Sequence, residues 1–146
     1  MRRVLASLSI VLSLAACQKG QPAPAHRVEM RKVGAEQIEL VPLAGVPPYC
    51  LVFSISQTGV VRQLTMTPDD ASLECAAGSP IGGHTFQIPA REGKVRLVAL
   101  FSDQKLSAPP IAEQIQELGG KPNLTVLDLR APGRVVTDLL EFAPER

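Results

Sequence analysis

The sequence predicts a mainly β fold: a small antiparallel β-sandwich with one amphipathic helix near residues 109–118. Three observations predict it. From His26 onward, short apolar runs alternate with turn residues at intervals of roughly ten residues, the rhythm of sandwiches and barrels. Within the runs, apolar residues recur at every second position, as in a strand with a buried face. At one place only, 109–118, the period lengthens to that of a helix. No repeat of fixed length runs through the chain.

Residues 28–33 and 37–43 read as the first two strands. Ala44-Gly45-Val46-Pro47-Pro48 ends the second, because proline has no N–H for a ladder and restricts the residue before it. Residues 49–56 place Tyr49, Leu51, Phe53 and Ile55 on one face and Cys50, Val52, Ser54 and Ser56 on the other, so one face is expected to be core. Gln57-Thr58-Gly59 then turns the chain back into 60–66, an antiparallel hairpin in which Gly59 takes left-handed backbone. Residues 67–80 hold two turn signals, Pro68-Asp69-Asp70 and Gly78-Ser79-Pro80, and read as a loop with one edge strand around Leu73.

A short strand is expected at 85–88. Residues 94–102 form the strongest strand, with Val95, Leu97, Ala99 and Phe101 on one face and Val98 and Leu100 on the other. Apolar character on both faces belongs in the middle of a sheet. In the helix, Ile111, Ile115 and Leu118 stand at i, i+4 and i+7, while Glu113, Gln114 and Glu117 point elsewhere. Pro110 fits the first turn, and Gly119-Gly120 the stop. Residues 124–129 and 134–142 resume strand-like alternation, although Asp138-Leu139-Leu140-Glu141 also reads as a helical turn.

The front of the chain follows another plan. Met1-Arg2-Arg3 is positive, and residues 4–16 contain only Ala, Val, Leu, Ile and Ser. That run is shorter than the about 20 residues needed to span a bilayer core, and it ends at Gln18-Lys19. It has the plan of a signal peptide, so residues 1–16 are expected to be removed. Leu14-Ala15-Ala16-Cys17 resembles the lipobox of bacterial lipoproteins, in which small residues fit the peptidase groove and the cysteine thiol accepts diacylglycerol. The resemblance implies lipidation at Cys17. Several acyl chains such as palmitate, at ~0.8 kcal/mol per buried methylene, would hold the protein on the membrane. An ordinary secretory signal with a chance cysteine is the alternative. By the sorting pattern of such lipoproteins, Gln18 is not the aspartate that retains them at the inner membrane, which implies the periplasmic face of the outer membrane.

Residues 17–25 carry Gly20, Pro22 and Pro24 with nothing to pack, and read as a lipidated cysteine and flexible tether rather than a first strand. Residues 26–146 suit a single domain with a real core. Removal of Arg2 and Arg3 leaves 13 of the 15 basic residues against 14 acidic ones. Nearly neutral and without a basic block, the mature chain offers no footprint for nucleic acid. With no Trp, one Tyr and four Phe, it has few residues for a platform that stacks sugars or bases.

Cys50 and Cys75 remain once Cys17 is lipidated, and an oxidising compartment permits a disulfide between them. Closing a loop of about 25 residues would stabilise the fold by roughly 3–4 kcal/mol through loop-closure entropy. Two buried free thiols are the alternative. A sharper reading makes one of these cysteines a nucleophile with His84 as base, but no known motif surrounds either residue. Gly78, Ser79, Gly82, Gly83 and His84 form a candidate binding loop. It lacks the Gly-Lys-Ser/Thr ending of a phosphate loop, and Ser79 is not in a Gly-x-Ser-x-Gly elbow. His26, His84, Cys50 and Cys75 lack zinc-type spacing, and Asp69-Asp70 starts no calcium loop, so neither metal nor cofactor is expected.

Three further segments, Tyr49-Cys50-Leu51-Val52-Phe53, Arg62-Gln63-Leu64-Thr65-Met66 and Val98-Ala99-Leu100-Phe101-Ser102-Asp103, resemble envelope lipoproteins that carry a β-rich domain of unassigned function. The resemblance implies an envelope location and, for some members, proximity to envelope-stress or sigma-factor regulation; it transfers no catalytic residue. The expectation is therefore a non-catalytic binding or scaffolding module, held on the membrane through Cys17, with an envelope protein as partner. The alternatives are a regulatory lipoprotein in envelope sensing and an envelope enzyme using Cys50 or Cys75 with His84.

Overall fold

The computed structural model describes residues 26–119 and 129–145. The expected signal peptide at 1–16, the lipidation site Cys17 and the tether up to residue 25 lie outside the described residues. So do residues 124–128 of one expected strand, while Leu129 lies outside any strand. The described elements are β1 (Val28–Lys32), β2 (Gln37–Pro42), β3 (Tyr49–Ile55), β4 (Val61–Gln63), β5 (Leu73–Glu74), β6 (Phe86–Gln87), β7 (Val95–Ser102), α1 (Ala108–Gly119) and β8 (Val135–Phe142). They form two antiparallel sheets. One has the order β1-β2-β6; the other runs β4-β3-β7-β8, with β5 also paired to β3.

The alternation of apolar residues decides how these layers stack. On one face of the larger sheet, Cys50, Val52, Leu97, Ala99, Phe101 and Phe142 pack against Val28, Ile38, Leu40 and Phe86 of the smaller one. On the opposite face, Leu51, Phe53, Ile55, Val98 and Leu100 pack against Leu106, Ala108, Ile111 and Ile115. The helix thus forms a third layer, and β3 buries both faces rather than the single face its alternation suggests. Burial of each large side chain on these faces stabilises the fold by about 1.5–3 kcal/mol. β7 is central, paired along its length with β3 on one side and β8 on the other.

Local chemistry sets the element ends. Gly59, at φ +85°, makes the β3–β4 turn. β4 then stops at Gln63, earlier than the expected residue 66, because Thr65 turns inward and is fully buried. Its hydroxyl accepts the Val52 N–H at 3.0 Å, where a backbone carbonyl would continue the ladder. β5 takes up pairing with β3 beyond that point, through Tyr49↔Glu74 and Cys50↔Leu73. The helix begins at Ala108, with Pro109 and Pro110 in its first turn, where a missing N–H costs no intrahelical bond. Residues 138–141, readable as a helical turn, are instead the middle of β8, whose register runs from Ser102↔Val135 to Val95↔Phe142.

The outer strands of the two sheets, β1 and β8, approach each other at two places. At one end Asp138 of β8 accepts backbone N–H groups from Arg27 and Val28. At the other, the Lys32 ammonium stands 5.6 Å from the centre of the Phe142 ring, and the Glu145 N–H reaches the Ala35 carbonyl at 2.9 Å.

Candidate functional site

Cys50 and Cys75 form a disulfide, with Cα atoms 5.9 Å apart, inside the usual range for such a bridge. Cys50 lies in β3 facing the smaller sheet and is fully buried; Cys75 follows β5 and is 7% exposed. The Cys75 N–H also bonds the Pro48 carbonyl at 2.7 Å, so the chain leaves β5 from a fixed point.

The loop that departs from there is held at its start and in the middle, and closes a turn on itself. The Gly78 N–H donates to the Pro42 carbonyl at 2.8 Å, and the Gly83 N–H to that of Pro80 at 2.9 Å. Between them Ile81, 1% exposed, inserts into the core between the sheets. With Ile81 as its anchor, the loop presents Gly78, Ser79, Gly82, Gly83 and His84 to solvent, so the structure gathers all five candidate binding residues on one exposed turn. Gly82 has φ +70°, and a Cβ there would fall 2.5 Å from Cε1 of His84. Glycine at this position lets the His84 ring fold back, with Nδ1 2.9 Å from the Gly82 carbonyl oxygen and the ring edge-on to Phe86.

This arrangement does not assemble the Cys–His pair considered from the sequence. Each sulfur is bonded to the other, and His84 is engaged with Gly82 and Phe86. Asp69 and Asp70 have turn roles. The Asp69 carboxylate binds the Lys105 ammonium at 2.7 Å, and hydrogen bonds from Lys105 and Thr67 hold its pKa below the ordinary aspartate value. Asp70, in left-handed backbone at φ +48°, offers its carbonyl to the Ala108 N–H at the start of α1. Among the described residues no group of three His, Cys, Asp or Glu side chains could hold a metal ion.

Sequence reasoning missed a second cluster. Asp138, 8% exposed in the middle of β8, receives the Arg27 N–H at 2.6 Å and the Val28 N–H at 3.1 Å on Oδ2. Its Oδ1 lies 2.9 Å from Nδ1 of His26, 112 residues away in sequence. A buried carboxylate is costly unless its oxygens are bonded, and here both are. The available signal was a single acid inside the apolar run Val135-Val136-Thr137-Asp138-Leu139-Leu140. At the far end of the larger sheet, Gln57, Thr58, Ala90, Arg91, Glu92 and Gly93 line an open groove. One wall is braced by the Arg62–Glu92 ion pair at 2.9 Å.

Comparison of the chain with protein-family profiles, curated proteins and solved structures finds no match to any of them.

Proposed function

We propose that this protein is an exported lipoprotein, held on the periplasmic face of the outer membrane through lipid on Cys17. There it acts as a non-catalytic binding or scaffolding module whose contact surface is the Gly78–His84 turn. The observation that carries the reading is the Cys50–Cys75 bridge. A buried disulfide using both cysteines left after Cys17 fits an oxidising envelope compartment and leaves the lipobox cysteine to the lipid. The turn suits recognition because Ile81 and the Gly78 bond fix its backbone while its polar groups face outward.

A photo-crosslinking residue placed at Ser79 or His84, with exposed Gln116 on the helix as control, tests the reading in whole cells. Discrete adducts from Ser79 and His84, absent from Gln116, are expected with an envelope protein. Adducts of equal yield at all three positions, or none, would sink the assignment of the turn.

A further inference from the structure

We infer that Asp138 is a clasp for the root of the N-terminal segment. It fixes the point where that segment joins the domain, so that tension applied through residues 17–25 is borne by both sheets instead of peeling β1 from β2. The tension rests on the lipid anchor proposed above; the clasp itself belongs to the folded domain.

Among the described residues, β1 is a five-residue outer strand paired with β2 alone. At its beginning, the bond from the Leu43 N–H to the Arg27 carbonyl, at 2.9 Å, holds the chain to β2. A strand loaded at such an end loses its ladder one bond at a time, because each rupture passes the load to the next. Here the N–H groups of Arg27 and Val28 both turn to Asp138 Oδ2, and the His26 ring occupies Oδ1. Hydrogen bonds to a carboxylate are stronger than the neutral bonds of the ladder. They deliver the load to β8, which is paired with β7 over all eight of its residues. Three consecutive residues are therefore tied across the sheets at the place where the segment begins. A buried acid among the apolar residues of β8 has this task as its physical reason.

The test is residue-resolved hydrogen exchange on the mature lipidated chain in detergent micelles, comparing the unmodified protein with Asp138→Ala and Asp138→Asn. In Asp138→Ala the Arg27 and Val28 amides are expected to exchange faster by a factor at least tenfold greater than the rise shared by the amides of β3 and β7, which report the loss of global stability. Asp138→Asn keeps an acceptor oxygen and should show a smaller rise at the same two amides; it also serves if the alanine variant does not fold. Unchanged protection at Arg27 and Val28 would overturn the clasp. So would an equal rise throughout β3 and β7, which would make Asp138 a general support of the fold. The mass of the same preparation reports lipid on Cys17, so a missing anchor and a missing clasp are separate results.

Discussion

The larger sheet is fastened on its two flanks by different chemistry. On the β5 flank the bond is covalent: Cys50–Cys75 pins a two-residue strand to β3 where its short ladder could not. On the β8 flank the fastening is a carboxylate, Asp138, reaching across to the first residues of the other sheet. The disulfide acts chiefly by restricting the unfolded chain, so its effect is global. The carboxylate acts only in the folded state and only at the residues it touches.

The largest effect expected from breaking this symmetry is loss of the bridge. Replacing Cys50 and Cys75 together with alanine should lower the unfolding free energy by about 3–4 kcal/mol, read from urea titration. Reduction of the unmodified protein should lower the midpoint to a similar degree. An unchanged midpoint on reduction would show that the β5 flank does not depend on the bond. Asp138→Ala should cost less, roughly 1–3 kcal/mol, because two N–H donors lose their partner at a partly hydrated edge. β5 and β8 are three strand spacings apart, roughly 14 Å, so the two losses should add within ~0.5 kcal/mol. A larger coupling would mean that the flanks are one unit.

The smallest effect is at Asp69. The Lys105 ammonium holds its carboxyl below the ordinary value, so the folded state favours the ionised form. The resulting stability is present above the unfolded pKa of about 4 and is lost as pH falls through the lower folded value. Both side chains are more than half exposed, so the contribution is small and screened by salt. Acid titration of stability should show the gap between the unmodified protein and Asp69→Asn closing toward low pH. A gap that widened as pH fell would reverse the assignment.

The two flanks also differ in how far they could be read from the sequence. The bridge was legible because the lipobox resemblance sets one of the three cysteines aside and leaves Cys50 and Cys75. β7 was legible as central from apolar residues at both parities, and the candidate turn from its glycines. The double burial of β3 was less visible: Ser54 and Ser56 suggested a wet face, yet each is 5% exposed. The clasp was hidden for a physical reason. Asp138 breaks the alternation of β8, and its partners are backbone groups of Arg27 and Val28, which carry no side-chain signature. Local pattern reports which face of a strand is apolar, but not which distant main-chain donors need an acceptor.

The lipid anchor and the bridge are tested most directly by the intact mass of protein extracted from membranes, alkylated with and without prior reduction. The expected mass is that of Cys17–Arg146 plus lipid, with two alkylations appearing only after reduction. An unlipidated chain would contradict the anchor, and two thiols alkylated without reduction would contradict the bridge.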